Sequence, residues 1–175
     1  MTPIKRVNYF TGQLLSAADF QAEQDYHREK QRLHNRVLLG SGVVGGLKVS
    51  LGKGICAGSV VISPGSAVDP TGELLQLCEP GSLRLKSTAA AVRVYLRYTE
   101  RPTDAVPTTT PNPNATSQPS RIEEGSELVL ADEAPPTPAK ARRVAAADPT
   151  GVALARLVRT QTGWRVDRKF KVVHV

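Results

Sequence analysis

Histidines are the first place to look for chemistry in this 175-residue chain, because only three are present. His27 and His34 stand seven residues apart with Glu23 one turn ahead of His27, a trio that a divalent cation could use. Helical metal sites more often space their ligands four apart, and no second cluster completes a shell, so packing or hydrogen-bonding roles are the simpler reading. Asp69 and Glu73 flank a turn, while Glu123 and Glu124 are neighbours on an expected strand, where successive side chains point to opposite faces. Cys56 and Cys78 are the only thiols. They are too few for a disulfide scaffold and read as structural thiols, a bridge between neighbouring strands being the exception. Gly40-Ser41-Gly42 with Gly45-Gly46 looks like a phosphate cradle, but these glycines follow a helix and precede strands, the reverse of the phosphate-binding order. No nucleophile elbow, metalloprotease helix, P-loop or dinucleotide fingerprint occurs. The expectation is a chain with no catalytic, cofactor or metal residues.

The element that would carry the histidines is a helix beginning after Ser16. The Ser16 hydroxyl can accept from the backbone N–H of Asp19 while the Asp19 carboxylate reaches back, a relative of the capping box. Asp19, Glu23 and Asp25 load the first turns and Arg28, Lys30, Arg32 and Arg36 the later ones, the order that the helix dipole favours, and Gly40 supplies the stop. The helix is expected to span about 23 residues, roughly 35 Å, and to be the rod around which the rest packs. Tyr26, Leu33 and Val37 form one stripe with Lys30 between them; Phe20, His27, His34 and Leu38 form a second beside it. The opposite, charged face is either solvated or a docking face for other subunits.

Beyond Gly42 the pattern turns strand-like. Leu47 to Leu51 alternates, Gly52-Lys53-Gly54 turns, Ile55 to Ser63 returns, and Pro64-Gly65 breaks the run before Ala67-Val68-Asp69 meets a second turn at Pro70-Thr71-Gly72. Glu73 to Leu77, Leu83 to Leu85 and above all Ala91 to Tyr98 continue an antiparallel module. Val7 to Phe10 reads as a short β-like lead-in lying against the sheet. From Thr103 to Ser120 the chain is mostly Thr, Pro, Asn, Ala and Ser, expected to be a mobile loop or extended arm. Glu127 to Leu130 resumes a strand, Lys140 to Ala147 suits two turns of helix, and Val152 to Asp167 reads as a hairpin about Thr160 to Gly163. Arg168 to Val175 alternates basic with apolar, either an edge strand guarded by lysines or an arm pairing with a neighbour. The fold class is α+β: one long N-terminal helix packed on a mainly antiparallel β module over residues 1–102, a Thr/Pro-rich arm over 103–120, and a β-rich extension over 121–175.

Hydrophobic content of 40% supports a real core, and aromatics at 5% make that core mostly Val, Leu and Ala. The formal charge of +7 is spread along the chain rather than gathered, so nucleic acid is not indicated. No run approaches the roughly 18 apolar residues needed to cross a bilayer, and the N-terminus lacks a signal-like run, so a cytoplasmic, soluble product is expected. Asp104 to Pro135 holds six acids against Arg121 alone, whereas Pro136 to Val175 holds nine bases against two acids. Such complementary patches set register between subunits.

Asn8-Tyr9-Phe10-Thr11-Gly12-Gln13-Leu14-Leu15-Ser16-Ala17-Ala18-Asp19-Phe20, then Glu23 to His27 and Arg32-Leu33-His34-Asn35-Arg36, resembles the opening of components of bacteriophage tails and phage-tail-like contractile injection systems. Val43 to Val49, the turn-rich Ile62 to Glu73 and Arg121 to Gly125 extend the likeness. It implies a non-enzymatic structural subunit, at a baseplate, fibre-attachment or cap-adjacent position, that is assembled into a particle. Its partners would be tube, sheath or baseplate proteins and further copies of itself. Candidate interaction residues are Arg28, Arg32 and Arg36 on the helix, Pro111 and Pro113 in the arm, and Arg168, Lys169 and Lys171 in the tail. The alternatives are a receptor- or carbohydrate-binding module at a fibre attachment point and, behind it, a metal-dependent hydrolase built on Glu23, His27 and His34.

Overall fold

A computed structural model describes residues 4–53, 58–108, 117–133 and 151–175. Among them lie one helix, α1 (Ala17–Leu38), and ten strands: β1 (Gly42–Gly46), β2 (Val49–Leu51), β3 (Ser59–Ile62), β4 (Gly65–Val68), β5 (Leu74–Leu77), β6 (Gly81–Arg84), β7 (Ala91–Pro107), β8 (Ser117–Asp132), β9 (Gly151–Thr160) and β10 (Gly163–Val166). The class is α+β. The strands form three antiparallel sheets, ordered β1-β4-β5, β2-β3-β6 and β10-β9-β7-β8.

The inner faces of the three sheets meet in one apolar cluster. Val43 and Leu75 come from the first sheet, Val60 and Ile62 from the second, and Val92, Val94, Leu96, Leu154 and Leu157 from the third. On β7 the in-and-out alternation places Val92, Val94 and Leu96 inward together. Against β9 the register slips between Val94 and Tyr95, a bulge that keeps Val152, Leu154, Ala155 and Leu157 buried through the change of phase. A tight crossing joins two of the strands: a Cβ on Gly46 would lie 2.1 Å from the Pro64 carbonyl oxygen, so β1 and β4 can approach only as bare backbone.

Three sequence expectations change. The helix is not the rod around which the chain packs: Asn35 is its only buried residue, and the core lies wholly between sheets. The 103–120 segment is not a loose arm throughout. Pairing of β7 with β8 runs without a break in register from Val92↔Asp132 to Pro107↔Ser117, carrying Thr103 to Pro107 and Ser117 to Ser120 as strand. The reason is that the well-buried start of β7 fixes the register, and the Thr- and Val-containing stretch only has to continue a ladder already begun. Beyond Arg97↔Gly151 no described strand other than β8 pairs with β7, so this distal part is a two-stranded ribbon, largely exposed and carrying Pro102, Pro107 and Pro119. Third, Val7 to Phe10 forms no strand, and Tyr9 donates its hydroxyl proton to Glu23 of α1 at 2.9 Å rather than lying on the sheet. The short helix expected over 140–147 lies outside the described residues, as do Cys56, Pro111 and Pro113.

Candidate interaction surface

The attachment of α1 begins in the turn between β4 and β5. Asp69 is buried, and its Oδ1 accepts from the Thr71 N–H (2.8 Å), the Thr71 hydroxyl (2.7 Å) and the Glu73 N–H (2.9 Å), an Asx turn that winds Asp69-Pro70-Thr71-Gly72 into one shape. Gly72 sits at φ +97°, and a Cβ there would lie 2.2 Å from the Arg32 carbonyl oxygen. The helix backbone therefore rests directly on the turn, and only glycine fits the contact.

The face that α1 sets on this turn is polar. Asn35 donates to the Gly72 carbonyl at 2.8 Å and accepts from Gln31, Arg36 donates to the Thr71 carbonyl at 2.5 Å, and Arg32 meets Glu73 at 2.5 Å and Glu29 at 2.7 Å. Arg28 closes on Glu100 at the base of the ribbon, where the Tyr98 hydroxyl also donates to Glu100 at 3.0 Å. Burial, then that hydrogen bond, raises the Tyr98 pKa. Burial works against the Arg32 charge, but hydrogen bonds to Glu29 and Glu73 outweigh it and its pKa rises. Arg28, Arg32 and Arg36, the helix residues expected to meet other subunits, are thus engaged inside the chain.

The apolar stripes point elsewhere. At about 100° per residue, the direction of Arg28, Arg32 and Asn35 lies roughly 150° from the mean direction of Phe20, Tyr26, His27, Leu33, His34, Val37 and Leu38. Phe20 is 51% exposed, Val37 69% and Leu38 66%, and the stripe continues into the lead-in at Leu14, 92% exposed, and Leu15. Tyr26 and Leu33 are half-buried, with the Tyr26 ring edge-on to His27 at 5.2 Å. A helix of the usual amphipathic kind turns its oily side to its own sheet; this one turns it away.

Between α1 and the ribbon runs an open cleft of about 890 Å³, lined from the helix by Glu23, Gln24, His27 and Arg28 and from the ribbon by Pro102, Arg121 and Ile122 among others. Glu23 and His27 meet there, but His34 lies on the helix away from this cleft, and no group of three or more His, Cys, Asp or Glu suited to a metal ion occurs among the described residues.

On the four-stranded sheet a second ionic cluster surrounds Glu133. Arg93 and Arg156 are directly opposed across β7 and β9, and Glu133 takes one on each oxygen, at 2.6 Å and 2.7 Å. Arg156 also reaches Asp167 at 2.8 Å, and Arg93 lies 6.0 Å from the Phe170 ring centre. The tail beyond returns to its own chain: the Val43 N–H donates to the Val173 carbonyl at 2.8 Å and the Val175 N–H to the Val43 carbonyl at 3.1 Å, around a parallel bridge of Val43 with His174. Arg168, Lys169 and Lys171 are exposed along it. Of the residues that fix these sites, Gly72 belongs to the turn expected at Pro70-Thr71-Gly72 and Asn35 to the Arg32–Arg36 run, but their contact joins residues 37 apart, and Glu133 carries no local signal.

No family model matches the chain, and no curated protein matches its sequence. Solved structures do match in shape. A chain of the TssK–TssF–TssG baseplate subcomplex of the type VI secretion system superposes with a TM-score of 0.53 at 18% identity, over 97% of this chain and 62% of that one. A crystal structure of TssK gives 0.53 at 16% identity, over 94% of this chain and 41% of the other. A further chain, from the baseplate complex of the type VI secretion system, gives 0.51 at 16%, over 98% and 60%. The chain spans between two-fifths and about three-fifths of the length of these matches. At such identities the likeness establishes a common fold, with nearly the whole of this chain inside it.

Proposed function

We propose that this chain is a non-enzymatic structural subunit of a phage-tail-like contractile particle, working at the baseplate through contacts with other subunits. The observation that carries the reading is the coverage: 94 to 98% of the chain superposes on baseplate proteins, so the shared shape is not one common motif within a larger unlike fold. The exposed features are consistent with that role. A helix with its apolar side outward, a two-stranded ribbon standing clear of the core and a basic C-terminal strip offer three separate surfaces to neighbours. Repeated components of such particles occur in rings, so several copies per particle are expected.

Co-expression with baseplate subunits of a contractile particle, followed by affinity purification on this chain, tests the proposal. A stoichiometric complex that survives washing supports it. Saturable glycan binding by the isolated chain without co-assembly overturns it in favour of a receptor-binding module, and turnover of a small molecule abolished by a Glu23→Gln substitution overturns it in favour of an enzyme.

A further inference from the structure

We infer that the outward stripe of α1 is covered by α1 of a second copy of this chain, the two helices running antiparallel about a two-fold axis. The first support is the inverted orientation already described: polar groups spend their hydrogen bonds on the β4–β5 turn while Phe20, Val37 and Leu38 face solvent. Large apolar side chains exposed along one side of a helix, with Leu14 and Leu15 exposed just ahead of it, mark a surface suited to being covered.

Charge selects the occupant and its direction. Along the stripe the acids, Asp19 and Glu23, lie in the first half of the helix and its one base, Lys30, stands in the middle of the apolar run just past the midpoint. A parallel copy would set Lys30 on Lys30 and Glu23 on Glu23. An antiparallel copy removes both clashes in a single register: Phe20 faces Leu33 and Glu23 faces Lys30, each pair occurring twice by symmetry. Apolar meets apolar and acid meets base with no residue out of place among these four. The helix dipoles are also opposed in this arrangement.

The area is sufficient but small. Covering half the circumference of a helix about 11 Å across and about 33 Å long hides about 570 Å² per copy, so about 1,100 Å² in all, near the lower limit for a specific interface. The association is therefore expected to be weak, dissociating in the micromolar range, and strengthened when many copies are held in one particle.

Sedimentation equilibrium on the full 175-residue chain reads this directly. The expected result is a concentration-dependent equilibrium between 18.8 kDa and twice that mass. Leu38→Asp should raise the dissociation constant by at least about tenfold, Lys30→Glu likewise, and Glu23→Lys combined with Lys30→Glu should restore it to within about threefold of the starting value. Circular dichroism on each variant verifies that α1 is still formed. A chain that stays monomeric at millimolar concentration, a trimer, a dimer indifferent to Leu38→Asp, or a charge exchange that fails to restore association overturns the inference. The dimer depends on α1 alone, so its absence leaves co-purification with baseplate subunits unaffected, and the loss of co-purification leaves the dimer unaffected.

Discussion

Replacing Gly72 by alanine should detach α1 from the sheets without unfolding them. Two costs act together. At φ +97° an L-residue pays for the left-handed conformation, about 1 to 2 kcal/mol. The new methyl would also lie 2.2 Å from the Arg32 carbonyl oxygen, and because both partners are backbone, neither can rotate away. The helix has to lift by about 1 Å to reach ordinary contact, which breaks the Asn35 bond to the Gly72 carbonyl and stretches the Arg36 and Arg32 contacts. One neutral and two charge-assisted interactions, partly exposed, are together worth about 2 to 3 kcal/mol. Amide hydrogen exchange followed by mass spectrometry should show the α1 peptides losing protection by about a hundredfold, while β7 and β9 change far less. Gly163→Ala is the control, since that glycine sits at φ +127° with nothing within 4 Å of an added Cβ, so it carries conformational strain without a clash. If both substitutions shift exchange and melting temperature alike, or if α1 keeps its protection in Gly72→Ala, the close backbone contact is not what seats the helix.

Two further outcomes follow from the ionic cluster. Glu133→Gln removes the counter-charge that Arg93 and Arg156 share, leaving Arg156 its contact with Asp167, and should cost about 2 kcal/mol in urea unfolding, part of it recovered in high salt; a cost under about 0.5 kcal/mol would mean that water already screens the pair. The Lys169 backbone N–H, and after it the Arg156 guanidinium, hold the Asp167 carboxyl below its usual pKa. A folded pKa lower than the unfolded one gives stabilisation that is complete above the unfolded value, about 3.9, and is lost as pH falls through the folded value. Melting temperature followed from pH 7 down to about pH 2 should accordingly show a shallower acid limb in Asp167→Asn than in the unaltered chain, and identical limbs would refute the assignment.

How much of this was legible beforehand differs from element to element. The start of α1 was, because Ser16 and Asp19 exchange their hydrogen bonds within one turn, the Asp19 carboxylate accepting from the Ser16 N–H at 2.9 Å. The hairpin of β9 and β10 was legible too, its turn lying between Thr160 and Gly163. Both are set by neighbours in sequence. The direction in which α1 faces was not, since periodicity finds an apolar side but says nothing of whether the chain's own sheet or something else covers it. Nor was the ribbon: residues 103–107 and 117–120 have a composition suited to a loop and become strand because a distant, buried register extends into them. Glu133 lay beyond reach for the same reason, its value depending on Arg93 and Arg156, 40 and 23 residues away.

The prolines of the ribbon have a consequence for the protein before it meets any partner. Two strands standing clear of a core, with both margins open, are a natural template on which further strands could stack without limit, ending in fibres. Pro102, Pro107 and Pro119 each lack the amide proton that such stacking consumes, at three points along the projection. The projection can thus stand clear of the core while denying other copies of the chain a continuous rail to zip onto.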